Sequence, residues 1–163
     1  MIPDPSKQEI VANLVDIHLS SGQHVRFWVT SNSMYPLLQI GDAVIVETAS
    51  HSIIKPGDVL VLQRDHDYLT HRFIGKSGKK WFTKGDNNVL PDPPFSMKEI
   101  TGKVIYIQRS ERIVDLQTRK WLTINSLVAK LSFLEWKVFS IHRYLRLPFR
   151  LTIKSIQKVF MSE

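Results

Sequence analysis

The chain has 163 residues, 43% of them hydrophobic and 23% charged, which excludes a disordered polypeptide and allows one domain with a core of its own plus an appendage. It has no cysteine, so a disulfide framework, a thiolate zinc site and a cysteine nucleophile are all excluded. The net charge of +7 resides in residues 117–163, which carry nine Lys+Arg against two Asp+Glu, so attraction to an anionic partner belongs to that segment.

In chain order, residues 6–20 (SKQEIVANLVDIHLS) set Ile10, Leu14 and Ile17 at helical spacing, with Ser6 as N-cap and Glu9 placed as in a capping box. The start is polar and lacks the basic head and apolar core of a secretory signal. No run of about 18 apolar residues reads as a transmembrane helix. These features predict a cytoplasmic protein, touching a membrane at most peripherally.

Residues 24–117 have a different texture. Short β-rich runs recur: HVRFWVT, DAVIVET, DVLVLQR, YLTHRFIG, KWFTKG, GKVIYIQR and RIVDLQ. Gly, Pro, Asp, Asn or Ser separate most of them, which predicts an all-β domain with hairpins. Gly-Asp opens two of the strands (Gly41-Asp42, Gly57-Asp58) and closes another (Gly85-Asp86). From Thr118 the pattern turns helical, with a break at Pro148. The expected organisation is a β-rich domain with its N-terminal helix over 1–117 and a basic amphipathic helical tail over 118–163.

In that tail, Leu127, Leu131, Leu134, Val138, Ile141 and Leu145 step by three or four from Ile124 and line one helix face. Lys130 and Lys137 flank the stripe. After Pro148, Leu151, Ile156 and Phe160 repeat the mixture beside Lys154 and Lys158, and Trp121 and Trp136 suit a lipid–water boundary. Two readings stand. The helix packs on its own β domain or on a twin chain as a homodimer, or residues 121–160 lie on an anionic membrane surface. On the second reading a chain ending near Leu116 stays soluble. The tail is too apolar for a phosphate-binding arm, so no nucleic acid is expected.

The stretch VTSNSMYPLLQIGDAVIVE, residues 29–47, fixes Ser33 in a turn between two apolar runs. A serine hydroxyl attacks only with a base in reach and donors for the oxyanion. His51, His66 and His71 are candidate bases, and His71 lies inside a strand-like run that can aim it. Asp86 and Asp92, in TKGDNNVLPDPPF, offer a third member. Read on residue types alone, a Ser/His/Asp set and an ordinary turn serine among non-catalytic histidines both remain open.

SNSMYP followed by IGDAVIV, KPGDVLVL, THRFIG and TKGDNN resembles the signal peptidase I superfamily, which includes the LexA-type self-cleaving proteases. The resemblance covers roughly residues 25–108. It implies a small, coiled all-β catalytic domain with the substrate strand in a groove beside Ser33. Bacterial-type signal peptidases and LexA-like proteases use a lysine base; His71-Arg72, then Gly85-Asp86-Asn87-Asn88 and Asp92, resemble instead the histidine branch of archaea and the endoplasmic reticulum. A lysine base would need its pKa lowered by about 3 units, whereas histidine titrates near 6.5 unaided. Lys76, Lys79 and Lys80 fall in GKSGKK, which reads as an exposed turn.

The resemblance implies Ser33 as nucleophile, His71 as general base and Asp92 as the residue orienting His71. Asp86 is its competitor, or a support of the loop. Ser31 and the Ser33 N–H are the implied oxyanion donors. No cofactor is implied. Pro91 departs from the family's acidic pair, and the family's usual N-terminal membrane anchor has no counterpart in this sequence. The expected substrate is a peptide or precursor protein. Alternatives are a true signal peptidase cutting after small residues, and a catalytically silent, repressor-like module that binds a partner strand. Asp65, His66, Asp67 and His71 suggest a metal only weakly, because His66 and His71 would point to opposite faces of a strand; no metal is expected. Phe27, Trp28, Trp81 and Phe82 read as core or groove wall, and GKS at 75–77 lacks the glycine a phosphate loop needs.

Overall fold

A computed structural model describes residues 5–49, 54–64, 67–139, 151–152 and 154–158. Helix α1 (Pro5–Ser20) leads into seven strands: β1 (Val25–Trp28), β2 (Ala43–Glu47), β3 (Val59–Arg64), β4 (Asp67–Ser77), β5 (Lys80–Lys84), β6 (Ile100–Arg109) and β7 (Arg112–Asp115). Helix α2 (Arg119–Phe139) follows. The seven β-rich runs of the sequence are these seven strands. Helix α1 starts at Pro5, whose fixed φ suits a first helical position, so Ser6 sits inside the first turn rather than ahead of it.

One antiparallel sheet runs β1-β2-β6-β3-β4-β5. The long strand β6 organises it. One edge of β6 pairs with β2; the other pairs with β3 through Lys103 and with β7 through Tyr106. The register shifts at Ile45/Val46 and at Val61/Leu62, irregularities that increase the local twist. Gly102 permits the tightest approach: a Cβ there would stand 2.5 Å from the Glu47 carbonyl oxygen.

The main core lies between this sheet and the two helices, with Leu37, Leu38, Val44, Val46 and Ile107 at its centre. Each such fully buried aliphatic contributes about 1.5–3 kcal/mol. Helix α1 supplies Val15 and Leu19, not the expected stripe; Ile10, Leu14 and Ile17 are exposed.

Helix α2 buries only part of the expected stripe: Ile124 and Leu131 pack on the main core. Leu127 and Leu134 are exposed, while Trp121, Ile124, Asn125, Val128, Ala129, Ser132 and Glu135 are buried. Trp121 is therefore a core residue, and Trp136 packs on Phe82 with ring centroids 4.6 Å apart. Gly57 shows how closely α2 is seated: its φ is +112°, and a Cβ would lie 2.8 Å from the Asn125 backbone. A chain ending near Leu116 would lose Trp121, Ile124 and Val128 from the main core, so the expectation that it stays soluble is not supported. Ile141, Leu145, Pro148 and Phe160, and the side chain of Val138, lie outside what the structure describes. Among the described residues no helix is long and apolar enough to cross a membrane.

Candidate active site

The turn at residues 31–38 is fixed from below. Met34, Leu37 and Leu38 are plugged into the core at 0–1% exposure, which leaves Ser33 half-buried at the rim. Backbone bonds close the turn, from Tyr35 N–H to the Asn32 carbonyl (3.1 Å) and from Leu38 N–H to that of Met34 (3.0 Å). The Tyr35–Pro36 peptide is cis. Arg109 braces the far end. It donates from Nε and Nη2 to the Asp42 carboxylate (2.9 and 2.7 Å) and from Nη2 to the Leu37 carbonyl (3.0 Å). The Gly41-Asp42 pair stands out in the sequence, but nothing local marks Arg109, 67 residues from Asp42.

The Gly85–Asn88 loop holds the same turn from the side. Asn87 N–H donates to the Ser33 carbonyl (2.8 Å), and Asn87 Nδ2 donates to that of Asn32 (3.2 Å). Gly85 is required for this approach, since a Cβ would meet the Ser33 carbonyl oxygen at 2.7 Å. Ser33 Oγ lies 3.2 Å from Ser31 Oγ. Both line a cleft of about 70 Å³ walled by Trp28, Met34, Leu38, Tyr68, Leu69 and Thr70. Burial pushes the Tyr68 phenol above its ordinary range, with Asp16 adding to the shift.

His71 follows Thr70 along β4, opposite Leu60 of β3, and is almost fully buried. Its Nδ1 lies 2.6 Å from Asp92 Oδ2. A carboxylate only accepts, so the proton of this bond sits on Nδ1 and the lone pair of the neutral ring on Nε2. Nε2 has no hydrogen-bond partner among the described residues. Asp92 is aimed by Thr83, whose Oγ1 donates to Oδ2 (2.8 Å) and whose carbonyl accepts the Asp92 N–H (2.8 Å). The structure thus brings His71 and Asp92 together, and Ser33 with Ser31.

Asp86 is engaged elsewhere. Arg72 donates to it from Nε and Nη2, each at 2.8 Å, and Gln157 Nε2 donates at 2.6 Å. Arg72 Nη1 is shared between the Gly57 carbonyl and Asn125 Oδ1, both at 2.9 Å. Lys84, one residue before the glycine of the loop, is buried and donates to Glu135 Oε2 at 2.9 Å. Lys76, Lys79 and Lys80 are exposed around the Gly78-Lys79 hairpin turn. His51, Asp65 and His66 lie outside the described residues. Of the aromatics, Phe82 is buried, Trp81 stacks on Phe73 with centroids 5.0 Å apart, and Trp28 stands exposed at the mouth of the cleft.

Residues 5–105 match the model of the Peptidase S24-like family. The chain belongs to that family. The match takes in Ser31, Ser33, His71, Asp86 and Asp92, and it agrees with a mainly antiparallel β domain of the LexA and signal peptidase I type. It stops short of β7, α2 and Gln157. A comparison with curated proteins gives no match.

Proposed function

We propose that this chain is a serine endopeptidase of the histidine-base, signal-peptidase-like kind, acting on peptides or precursor proteins. The observation that carries the reading is the 2.6 Å bond between His71 Nδ1 and Asp92, with Nε2 unpartnered among the described residues. Ser33 Oγ attacks the scissile carbonyl and gives its proton to His71 Nε2. Asp92 holds the tautomer and stabilises the imidazolium. The Ser33 N–H and the Ser31 hydroxyl face the developing oxyanion. His71 then protonates the leaving amine, and a water activated by the same nitrogen hydrolyses the acyl-enzyme. Ser33 Oγ lies 3.2 Å from Ser31 Oγ, and attack requires that hydroxyl to turn to Nε2; catalytic hydrogen bonds tighten in the Michaelis complex.

The narrow cleft beside Ser33, walled by Trp28, Met34, Leu38 and Tyr68, is where the side chain before the scissile bond would sit. The reading is tested by the pH dependence of cleavage. With a histidine base, kcat/KM falls on the acid side, where the base is lost to protonation, and holds at neutral pH. Activity that appears only at alkaline pH, as a lysine base would give, contradicts it.

A further inference from the structure

We propose that Gln157, a residue of the C-terminal segment outside the family match, is a positioning residue for the active-site loop. The inference rests on the peptidase reading of Ser33 and His71. The loop Gly85–Asn88 carries the two bonds that hold the serine turn, from Asn87 to the carbonyls of Ser33 and Asn32. What holds the loop is Asp86, and its carboxylate is anchored from two directions. Arg72 reaches it from β4, the strand that also carries His71. Gln157 reaches it from 71 residues along the chain and makes the shortest of the three bonds, at 2.6 Å.

The burial of these groups gives the arrangement its leverage. Arg72 and Gln157 are both at 0% exposure and Asp86 at 4%, so no water can replace a lost donor without rearrangement. Arg72 is already committed on three sides, to Asp86, the Gly57 carbonyl and Asn125. The donor from Gln157 is what keeps Asp86 Oδ2 from shifting toward Arg72 alone. A shift there moves Asn87, and with it Ser33, relative to a His71 that stays fixed on β4. Displacements of about 1 Å at a reacting atom cost on the order of 10²-fold in rate. Helix α2 contributes to the same platform through Asn125, and the segment around Gln157 also packs Ile156 against the main core. The segment beyond the family match therefore completes the site from behind, without touching substrate.

The test uses the full-length chain with Gln157→Leu, which keeps volume and removes the donor. Gln157→Glu serves as a second variant, which keeps size and sets a carboxylate against Asp86. Two quantities are read at a temperature where each variant is folded: exchange of the Asn87 amide hydrogen, and kcat and KM for a peptide that the wild type cleaves and Ser33→Ala does not. For Gln157→Leu the Asn87 amide exchanges about 10-fold faster while amides of β6 are unchanged. Its kcat falls by about 10- to 100-fold with KM within about twofold. Gln157→Glu shows the same loss, since an ionised carboxylate has no hydrogen to donate to Asp86. An Asn87 amide that exchanges as in wild type in both variants overturns the proposal. If the wild type shows no Ser33-dependent cleavage, it is the peptidase reading that fails, and the exchange measurement still decides the role of Gln157.

Discussion

Arg72 grips Asp86 through two parallel hydrogen bonds of 2.8 Å, one residue along the strand from His71, whose own carboxylate partner is Asp92. The two acids that compete on sequence grounds thus sit in different surroundings. Asp86 lies in a fully buried ion pair; Asp92 meets an imidazole at 12% side-chain exposure.

This division predicts different failures. Asp92→Asn leaves Thr83 a hydrogen-bonding partner and the fold intact, but favours the wrong tautomer of His71; activity falls by up to about 10⁴-fold with little change in Tm. Asp86→Asn leaves the Arg72 charge buried and uncompensated, so stability falls by about 3–5 kcal/mol. Activity assays beside thermal denaturation separate them. A stable but inactive Asp86→Asn protein, with an active Asp92→Asn, would reverse the assignment.

How far the sequence shows this site depends on the range of each interaction. The strands were legible because Val, Ile and aromatic runs between turn residues are local signals. The contact between His71 and Asp92 is reachable through the joined motifs around them. The helical faces were not. On α2 the apolar stripe is split, with Ile124 and Leu131 on the core and Leu127 and Leu134 outside, because the buried side also takes in Asn125, Ser132 and Glu135. Asn125 and Glu135 are polar yet buried because Arg72 and Lys84, far away in the chain, pair with them. No periodicity reveals such partners, and the same holds for Arg109 on Asp42 and Gln157 on Asp86.

The buried pair of Lys84 and Glu135 gives a second prediction. Removing one partner, as in Glu135→Leu, destabilises the protein by roughly 3–5 kcal/mol, because a buried ammonium is left alone. The double variant Lys84→Met with Glu135→Leu recovers most of that loss. Denaturant titration of the three proteins checks it, and a double variant weaker than Glu135→Leu alone would contradict it.

Asp58 gives a prediction about pH. Desolvation raises its pKa above 3.8, outweighing the Lys55 backbone N–H and the charges of Lys103, Lys55 and Arg72. A carboxyl with a raised native pKa binds its proton more tightly when folded, so its contribution to stability is most favourable at acid pH and is lost as pH rises through the raised value. Asp58→Asn keeps an acceptor for the Lys55 N–H, 2.8 Å away, and carries no charge. Its Tm therefore exceeds that of wild type at pH 7, with the difference shrinking toward acid pH. A variant less stable than wild type at pH 7 would show that the ionised form is favoured.

Ser33 attacks peptide bonds, on this proposal, with His71 as its base. The most direct measurement is mass spectrometry of candidate precursor peptides incubated with the wild type, with Ser33→Ala and with His71→Ala, each confirmed folded. The wild type is expected to give discrete cleavage products, with losses of roughly 10³-fold or more in both variants. Cleavage by Ser33→Ala at a rate near that of wild type would contradict it.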